Sequence, residues 1–461
     1  MGLGYILKKA YYKKNTETAK SEIDSLPKTA VDPDCYSIIE EPHLFKKRIL
    51  ELIRSSKKRI CMTALYFQND EAGQEIMNAL YEAKTSNPSI EIYVYVDFHR
   101  AQRGLIGKGL QEGNNVWYQK MASAHQSQPV IYGVPVKKRE IFGVLHLKGF
   151  VFDDTVLYSG ASINNVYLGE NGKYRIDRYH EIRSKTLADA MCSYCNTVFN
   201  HSQAIFNLNK SNVPAARDIS VEIKAQKNIL RHEEYRIPNE EIAENQIGIT
   251  PLVGLGKRKN RLNHTILYLL ESAVSEITVY TPYFNLPAPI RKRISRCLKK
   301  GVRVTLVCGD KTANDFYISN MEEFNKVGAI PYIYEINLRK FISKNQSFID
   351  SGLLEIHLWR DGSNTYHVKG MTVDGRYTLL TGNNLNPRAW GLDLENGLLI
   401  NDPGRLLLSK FTHEKEYLLK HTSLIRSTND LEDMDSYPEP VRKIISKVNK
   451  LGAQWLLKKL L

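Results

Sequence analysis

One short pattern occurs twice in this chain and limits what it can fold into. His146-Leu147-Lys148-Gly149-Phe150-Val151-Phe152-Asp153 returns as His367-Val368-Lys369-Gly370-Met371-Thr372-Val373-Asp374. Both copies read His-x-Lys-x-x-x-x-Asp, and each leads through a short apolar run into a Gly/Asn turn, 160–164 (GASIN) and 382–386 (GNNLN). The flanks repeat as well. ILELIRSSKKRICMTALYF at 49–67 matches ILYLLESAVSEITVYTPYF at 266–284, and SIEIYVYVD at 89–97 parallels GVRVTLVCG at 301–309. The order is kept with small insertions, and the period is far longer than the roughly 20–50 residues of a solenoid unit, so the repeat marks a duplicated domain.

Alternation along a strand puts residues i and i+2 on one side. His146 and Lys148 are therefore expected to project together, as are His367 and Lys369, from strands whose apolar neighbours predict burial on both faces. Two such strands about a pseudo-twofold axis would bring two imidazoles and two ammonium groups into one cleft. An imidazole can attack phosphorus or carry protons near neutral pH, and lysines can stabilise the nonbridging oxygens of a transferring phosphoryl group. A lysine two residues from each histidine places positive charge where a metal ion would sit. The expectation is a phosphate-handling site with no metal and no cofactor.

The paired motifs resemble those of the phospholipase D superfamily, and within it the chain is similar to the bacterial phosphatidylserine synthases of the soluble, phospholipase-D-like type. The resemblance runs from about Cys35 to about Val448. It is carried by VDFHRAQRG (96–104), VLHLKGFVFDDTVLYSGASINN (144–165), TPLVGLGK (250–257), TPYFNLP (281–287), GDKTANDFY (309–317) and TGNNLNPRAWGLDLE (381–395). It implies an α/β fold of two phospholipase-D-like domains with mixed sheets, packed face to face around one shared active site. It implies the reaction of CDP-diacylglycerol with L-serine to give phosphatidylserine and CMP, through a phosphatidyl-histidine intermediate. By this analogy His146 is the nucleophile and His367 the acid/base, with Lys148 and Lys369 beside them. Asp153 and Asp374 complete the catalytic motif, although their position suits strand-end structure better than chemistry.

Each histidine then needs an acidic partner to hold its tautomer. The candidates are Asp177 or Glu181 in the first half and Glu395 in the second. Asn164 and Asn386 are expected to donate to phosphate oxygens, or to form the turns they occupy. A serine pocket needs an anion for the ammonium and a cation for the carboxylate. The polar groups after the second strand of each repeat offer both: Asp97, His99 and Arg100 in the first, Lys311, Asn314 and Asp315 in the second.

The net charge of +14 predicts an acidic partner. An anionic membrane surface and, less specifically, nucleic acid or the ribosome qualify on charge alone. No run approaches the roughly twenty apolar residues of a membrane span, and no secretory signal is visible, so the expected place is the cytoplasm, peripheral to the inner face of the cytoplasmic membrane. Cys192-Ser193-Tyr194-Cys195 reads as packing. Val441 to Leu461 has Val441, Ile444, Ile445, Val448, Leu451, Trp455 and Leu456 at helical spacing, with lysines and an arginine opposite. That is the pattern of an interfacial helix; docking on the protein's own core is the alternative. Oligomeric state is left open.

Five segments follow: a basic N-terminal tail (1–34), a first repeat (35–208), a connector (209–245), a second repeat (246–426), and an acidic link with a basic amphipathic helix (427–461). Three other functions compete. Cardiolipin synthases resemble this chain but usually carry N-terminal hydrophobic helices. A phospholipase or nuclease would pass the same intermediate to water. A membrane scaffold would need neither paired histidines nor paired lysines.

Overall fold

The computed structural model describes residues 3–104, 112–320 and 324–450, with side chains described from 10 to 447 within those ranges. Each half is built the same way. In the first, Phe45, Ile49, Leu52 and Ile53 line one buried face of the helix Pro42–Ser55, whose proline sits in the first turn where no amide donor is needed. The parallel strands Arg59–Ala64, Glu91–Asp97 and Val130–Val134 follow. The sheet continues antiparallel through Gly149–Phe152, Thr155–Ser159, Tyr179–Arg183 and Tyr36–Ile39. The second half repeats this with parallel strands Glu276–Thr281, Arg303–Gly309 and Leu354–Trp359, then antiparallel Gly370–Val373, Tyr377–Thr381, Leu394–Asn401 and Ile247–Leu255. Both sheets are mixed, eight-stranded and ten-stranded.

The halves do more than pack face to face; they exchange backbone. Leu145–His146 leaves its own sheet and pairs in parallel with Leu394–Glu395 of the other half. Reciprocally, Thr365–Tyr366 pairs in parallel with Arg175–Ile176. One core cluster spans both halves, joining Leu145, Leu147 and Val151 to Val253, Leu394 and Leu398.

The segment up to residue 34, expected as a tail, is structural from residue 3 onward. The helix Leu3–Asp24 buries Ala19 and Ile23 beside the helix Arg261–Ser272, and Thr29–Val31 extends the second sheet alongside Ile247–Leu255. The N-terminal segment therefore completes the second half. The connector holds one helix, Ser220–Leu230. The acidic link is pinned where Glu432 pairs with Lys311 at 2.8 Å. The helix Glu439–Lys450 docks by a fully buried Val441, beside Tyr437 and Tyr332. Its first turn thus packs on the protein itself, and the side chains of the expected Val448, Leu451, Trp455 and Leu456 lie outside the described residues. Cys192 and Cys195 are buried free thiols close to Cys61, as packing predicts.

Candidate active site

The motif is not one continuous strand, as alternation alone predicts. It breaks at the glycine after each lysine, where φ is +110 at Gly149 and +123 at Gly370, a region L side chains rarely adopt. A Cβ on Gly370 would lie 2.2 Å from the Leu379 carbonyl oxygen. Before the glycine the chain pairs with the other half; after it, with its own sheet. The break lets a histidine-lysine unit reach across the interface.

Crossing sets the chemistry. Because Glu395 lies directly opposite His146 in the parallel pairing, its two carboxylate oxygens stand 2.9 and 2.8 Å from His146 Nδ1. In the reciprocal crossing the His367 amide donates to the Ile176 carbonyl at 2.9 Å, which sets Asp177 Oδ2 3.2 Å from His367 Nδ1. Each histidine is thus held by a carboxylate from the other half. At His146, donation from Nδ1–H to Glu395 leaves the lone pair on Nε2. The two sides are not identical. Asp177 also accepts from Lys369 Nζ at 2.6 Å, and the Tyr167 hydroxyl lies 2.9 Å from His367 Nδ1. Lys148 Nζ instead donates to Ser162 Oγ at 3.0 Å.

The turn glycines make room for these cations. A Cβ on Gly160 would stand 2.5 Å from Lys369 Nζ, and one on Gly382 would stand 2.7 Å from Lys148 Cγ. Here too each half accommodates the other's side chain. The two histidines and two lysines of the motif are buried, and burial is the largest influence on each. With Lys148 and Lys369 nearby, it pushes both imidazoles well below their ordinary range. Burial and the neighbouring Lys369 bring Lys148 down to about 7, and burial lowers Lys369 as well. Burial and Asp393 push Glu395 well up. An anion entering this cluster would relieve the charge repulsion between the lysines. The arrangement can present a neutral imidazole to phosphorus, carry a proton on a second one, and neutralise the phosphate oxygens between them.

The other expected residues divide. Asp153 and Asp374 sit at the far ends of their strands, each at positive φ. Asp153 accepts from the amides of Lys57, Lys58 and Arg59, and Asp374 from those of Val274, Ser275 and Glu276. Their place is structural and away from the histidines. Glu181 is taken by Arg48 at 2.7 Å. Asn164 and Asn386 act as turn caps, accepting from the amides of Tyr167 and Ala389.

In the expected serine pocket, Asp97 is fully buried and accepts from the amides of His99, Arg100 and Leu145, so it braces the strand before His146. His99 bonds the Lys137 carbonyl, and Arg100 pairs with Glu140. Lys311 is held by Glu335 and Glu432, and Asn314 accepts from the Phe316 amide. Asp315 alone of the six stands beside His367, whose imidazole and the Arg175 guanidinium help to hold its carboxyl below the usual range although burial opposes this. Sequence reasoning missed Tyr167, Arg175 and Asn396. Asn396 receives the Lys148 amide and donates to its carbonyl, both at 2.8 Å, replacing the ladder where the strand breaks. The available signal was position: Asn396 follows Glu395 and Arg175 precedes Asp177 by two. Among the described residues, no group of three or more His, Cys, Asp or Glu has the geometry to hold a metal ion.

A family profile described as "Cardiolipin synthase, PLD-like domain" matches residues 49–201 and 266–419. The CDP-diacylglycerol–serine O-phosphatidyltransferase of Haemophilus influenzae is 44% identical over 97% of this chain and 99% of that protein. The corresponding Escherichia coli protein is 44% identical over 96% of this chain and 98% of its own length. The crystal structure of the Haemophilus influenzae phosphatidylserine synthase superposes with a TM-score of 0.94, covering 97% of this chain and all (100%) of that one.

Proposed function

The chain belongs to the phospholipase-D-like CDP-diacylglycerol–serine O-phosphatidyltransferases, and from that membership we propose that it transfers a phosphatidyl group from CDP-diacylglycerol to L-serine through a covalent histidine intermediate. The observation that carries the mechanism is the crossed pairing of two buried histidines with Glu395 and Asp177. His146 Nε2 attacks the phosphorus joined to diacylglycerol. The bond from that phosphorus to CMP breaks, and His367 gives the departing CMP oxygen its proton. The serine hydroxyl then attacks the same phosphorus, His367 takes the hydroxyl proton, and the phosphorus–nitrogen bond breaks to free His146. Lys148 and Lys369 neutralise the nonbridging oxygens through both steps. The Glu395 carboxylate, both of whose oxygens face His146 Nδ1, supports the nucleophile's role, since it fixes the ring with its lone pair on Nε2.

No described helix is long and apolar enough to cross a membrane. Access to the lipid donor is by adsorption to an anionic bilayer. The helix Ala288–Lys300 supports this, burying Ile290, Ile294, Cys297 and Leu298 while exposing Arg291, Lys292 and Lys299.

The test is a mixed-micelle assay with CDP-diacylglycerol and labelled L-serine. Serine-dependent CMP release with labelled phosphatidylserine is expected, lost in both His146→Ala and His367→Ala. A two-step route requires net retention of configuration at a chirally labelled phosphorus; net inversion would overturn the intermediate. Labelled phosphatidic acid as the sole product would overturn the transferase reading.

A further inference from the structure

The crossed site is symmetric in its histidines and carboxylates but not in what surrounds them. Two residues before the histidine's carboxylate stands Arg175 in the first half and Asp393 in the second. Asp393 is closed off: one oxygen accepts from the Val144 amide at 3.0 Å and the other lies 3.2 Å from Arg388 Nε. The pair at His367 is open. Arg175 and Asp315 approach only to 3.7 Å, beyond hydrogen-bond length, and their side chains keep 14% and 22% of their surface exposed.

Both ends of this open pair are held in place from behind. Arg175 Nε donates to Thr365 Oγ1 at 3.0 Å, and its guanidinium lies over the Tyr167 ring at 4.8 Å. Asp315 Oδ1 accepts from the Tyr283 hydroxyl at 2.5 Å, and the Tyr283 ring stacks on Tyr334. Tyr167 and Tyr283 each meet the His367 imidazole edge to face, with centroids 5.3 and 6.2 Å away. The result is a fixed cation and a fixed anion, side by side, between aromatic walls and against the histidine that handles the acceptor's proton.

Few molecules match that layout. A lipid phosphate would meet the carboxylate and be repelled, and water needs neither charge. An α-amino acid carries a carboxylate and an ammonium one carbon apart, with the serine hydroxyl on the next carbon. Resting on the phosphatidyl transfer to serine set out above, we propose that Arg175 and Asp315 form the acceptor subsite: Arg175 takes the carboxylate, Asp315 takes the ammonium, and the hydroxyl is presented to His367. Insertion of the zwitterion trades the long Arg175–Asp315 contact for two short charge-assisted ones. Discrimination against acceptors lacking either charge follows, because one member of the pair is then left facing a neutral group.

The experiment measures serine KM and kcat with CDP-diacylglycerol as donor for the full chain and three variants. Asp315→Asn and Arg175→Lys are each expected to raise serine KM roughly tenfold or more, with kcat falling by a smaller factor. Tyr283→Phe, which removes only the hydroxyl that holds Asp315, raises it by a few-fold and keeps the result readable if a charge variant fails to fold. Two inhibitors separate the roles. 3-Hydroxypropionate, which lacks the ammonium, loses affinity in Arg175→Lys but not in Asp315→Asn, and 2-aminoethanol, which lacks the carboxylate, shows the opposite pattern. A serine KM within about twofold of the parent in folded Asp315→Asn and Tyr283→Phe, with both inhibitors equally affected, overturns the subsite. If the parent itself makes no phosphatidylserine, the transferase reading fails instead, which the parent control reports separately.

Discussion

Lys148 is the residue whose titration should be visible in the kinetics. Its ammonium is brought down to about 7 by burial and by Lys369, with Asp177 and Glu395 opposing, while burial and the lysines push both histidines well below 6.5. In the proposed mechanism neutral His146 is the competent nucleophile, protonated His367 the competent acid and charged Lys148 the competent electrostatic partner. kcat/KM for the donor, which reports the free enzyme, should therefore begin to fall below 6.5 as His367 loses its proton and fall more steeply through about 7 as Lys148 does. Its acid limb should lie below 6.5. A bound diphosphate restores the lysine's charge, so the alkaline limb of kcat should be displaced upward by roughly one unit or more. Lys148→Arg cannot lose its proton in this range and should remove the steeper component near 7, leaving the His367 component, at a lower maximal rate. Pre-steady-state and steady-state pH profiles check this. At this scale much was legible: the His/Lys pairs, Asp177 and Glu395 all stood out in the chain. Arg175 did not, because its meaning depends on Asp315, brought beside it only by the packing of the two halves.

Among the elements, the break after each motif lysine governs the site. The sequence pattern suggests one buried strand, and the apolar run from Phe150 to Phe152 is indeed one. What the pattern hides is that Gly149 and Gly370 redirect the preceding residues to a foreign strand. Strand exchange depends on pairing between distant segments, which no local periodicity encodes. For the same reason the candidates Asp177 and Glu395 were identifiable while the crossing that assigns each to the opposite histidine was not. The turn glycines offer the test. In Gly160→Ala the new methyl meets the mobile end of Lys369 and the Asp177 carboxylate rather than backbone, so the fold should survive. The displaced ion pair should lower kcat by on the order of 10²-fold. Thermal unfolding within a few degrees of the parent, together with the rate loss, is the expected pair of readings; full activity would mean the crowding at Gly160 does not matter.

At the scale of the whole molecule, duplication was readable and the part played by the N-terminal segment was not. The first 34 residues hold six lysines and five acidic residues, yet Ala19 and Ile23 are buried and Thr29–Val31 is a strand of the second sheet. Lysines flanking few apolar positions conceal such a helix, since one buried stripe is enough to dock it. Deleting residues 1–27 should cost about 2–5 kcal/mol, the range for emptying one large buried apolar site, measured by urea unfolding; a true tail would come off without loss. The same interleaving has a consequence for how the molecule is made. Synthesis runs from the N-terminus, and early segments fold while later ones are still absent. A nascent chain that already displays His146 has no carboxylate for it until residue 395 has been added, and no partner strand for Leu145–His146. Catalytic competence is therefore gained in a single late event of translation, and a ribosome stalled before residue 395 releases a product that cannot cleave the phosphoanhydride of the proposed donor.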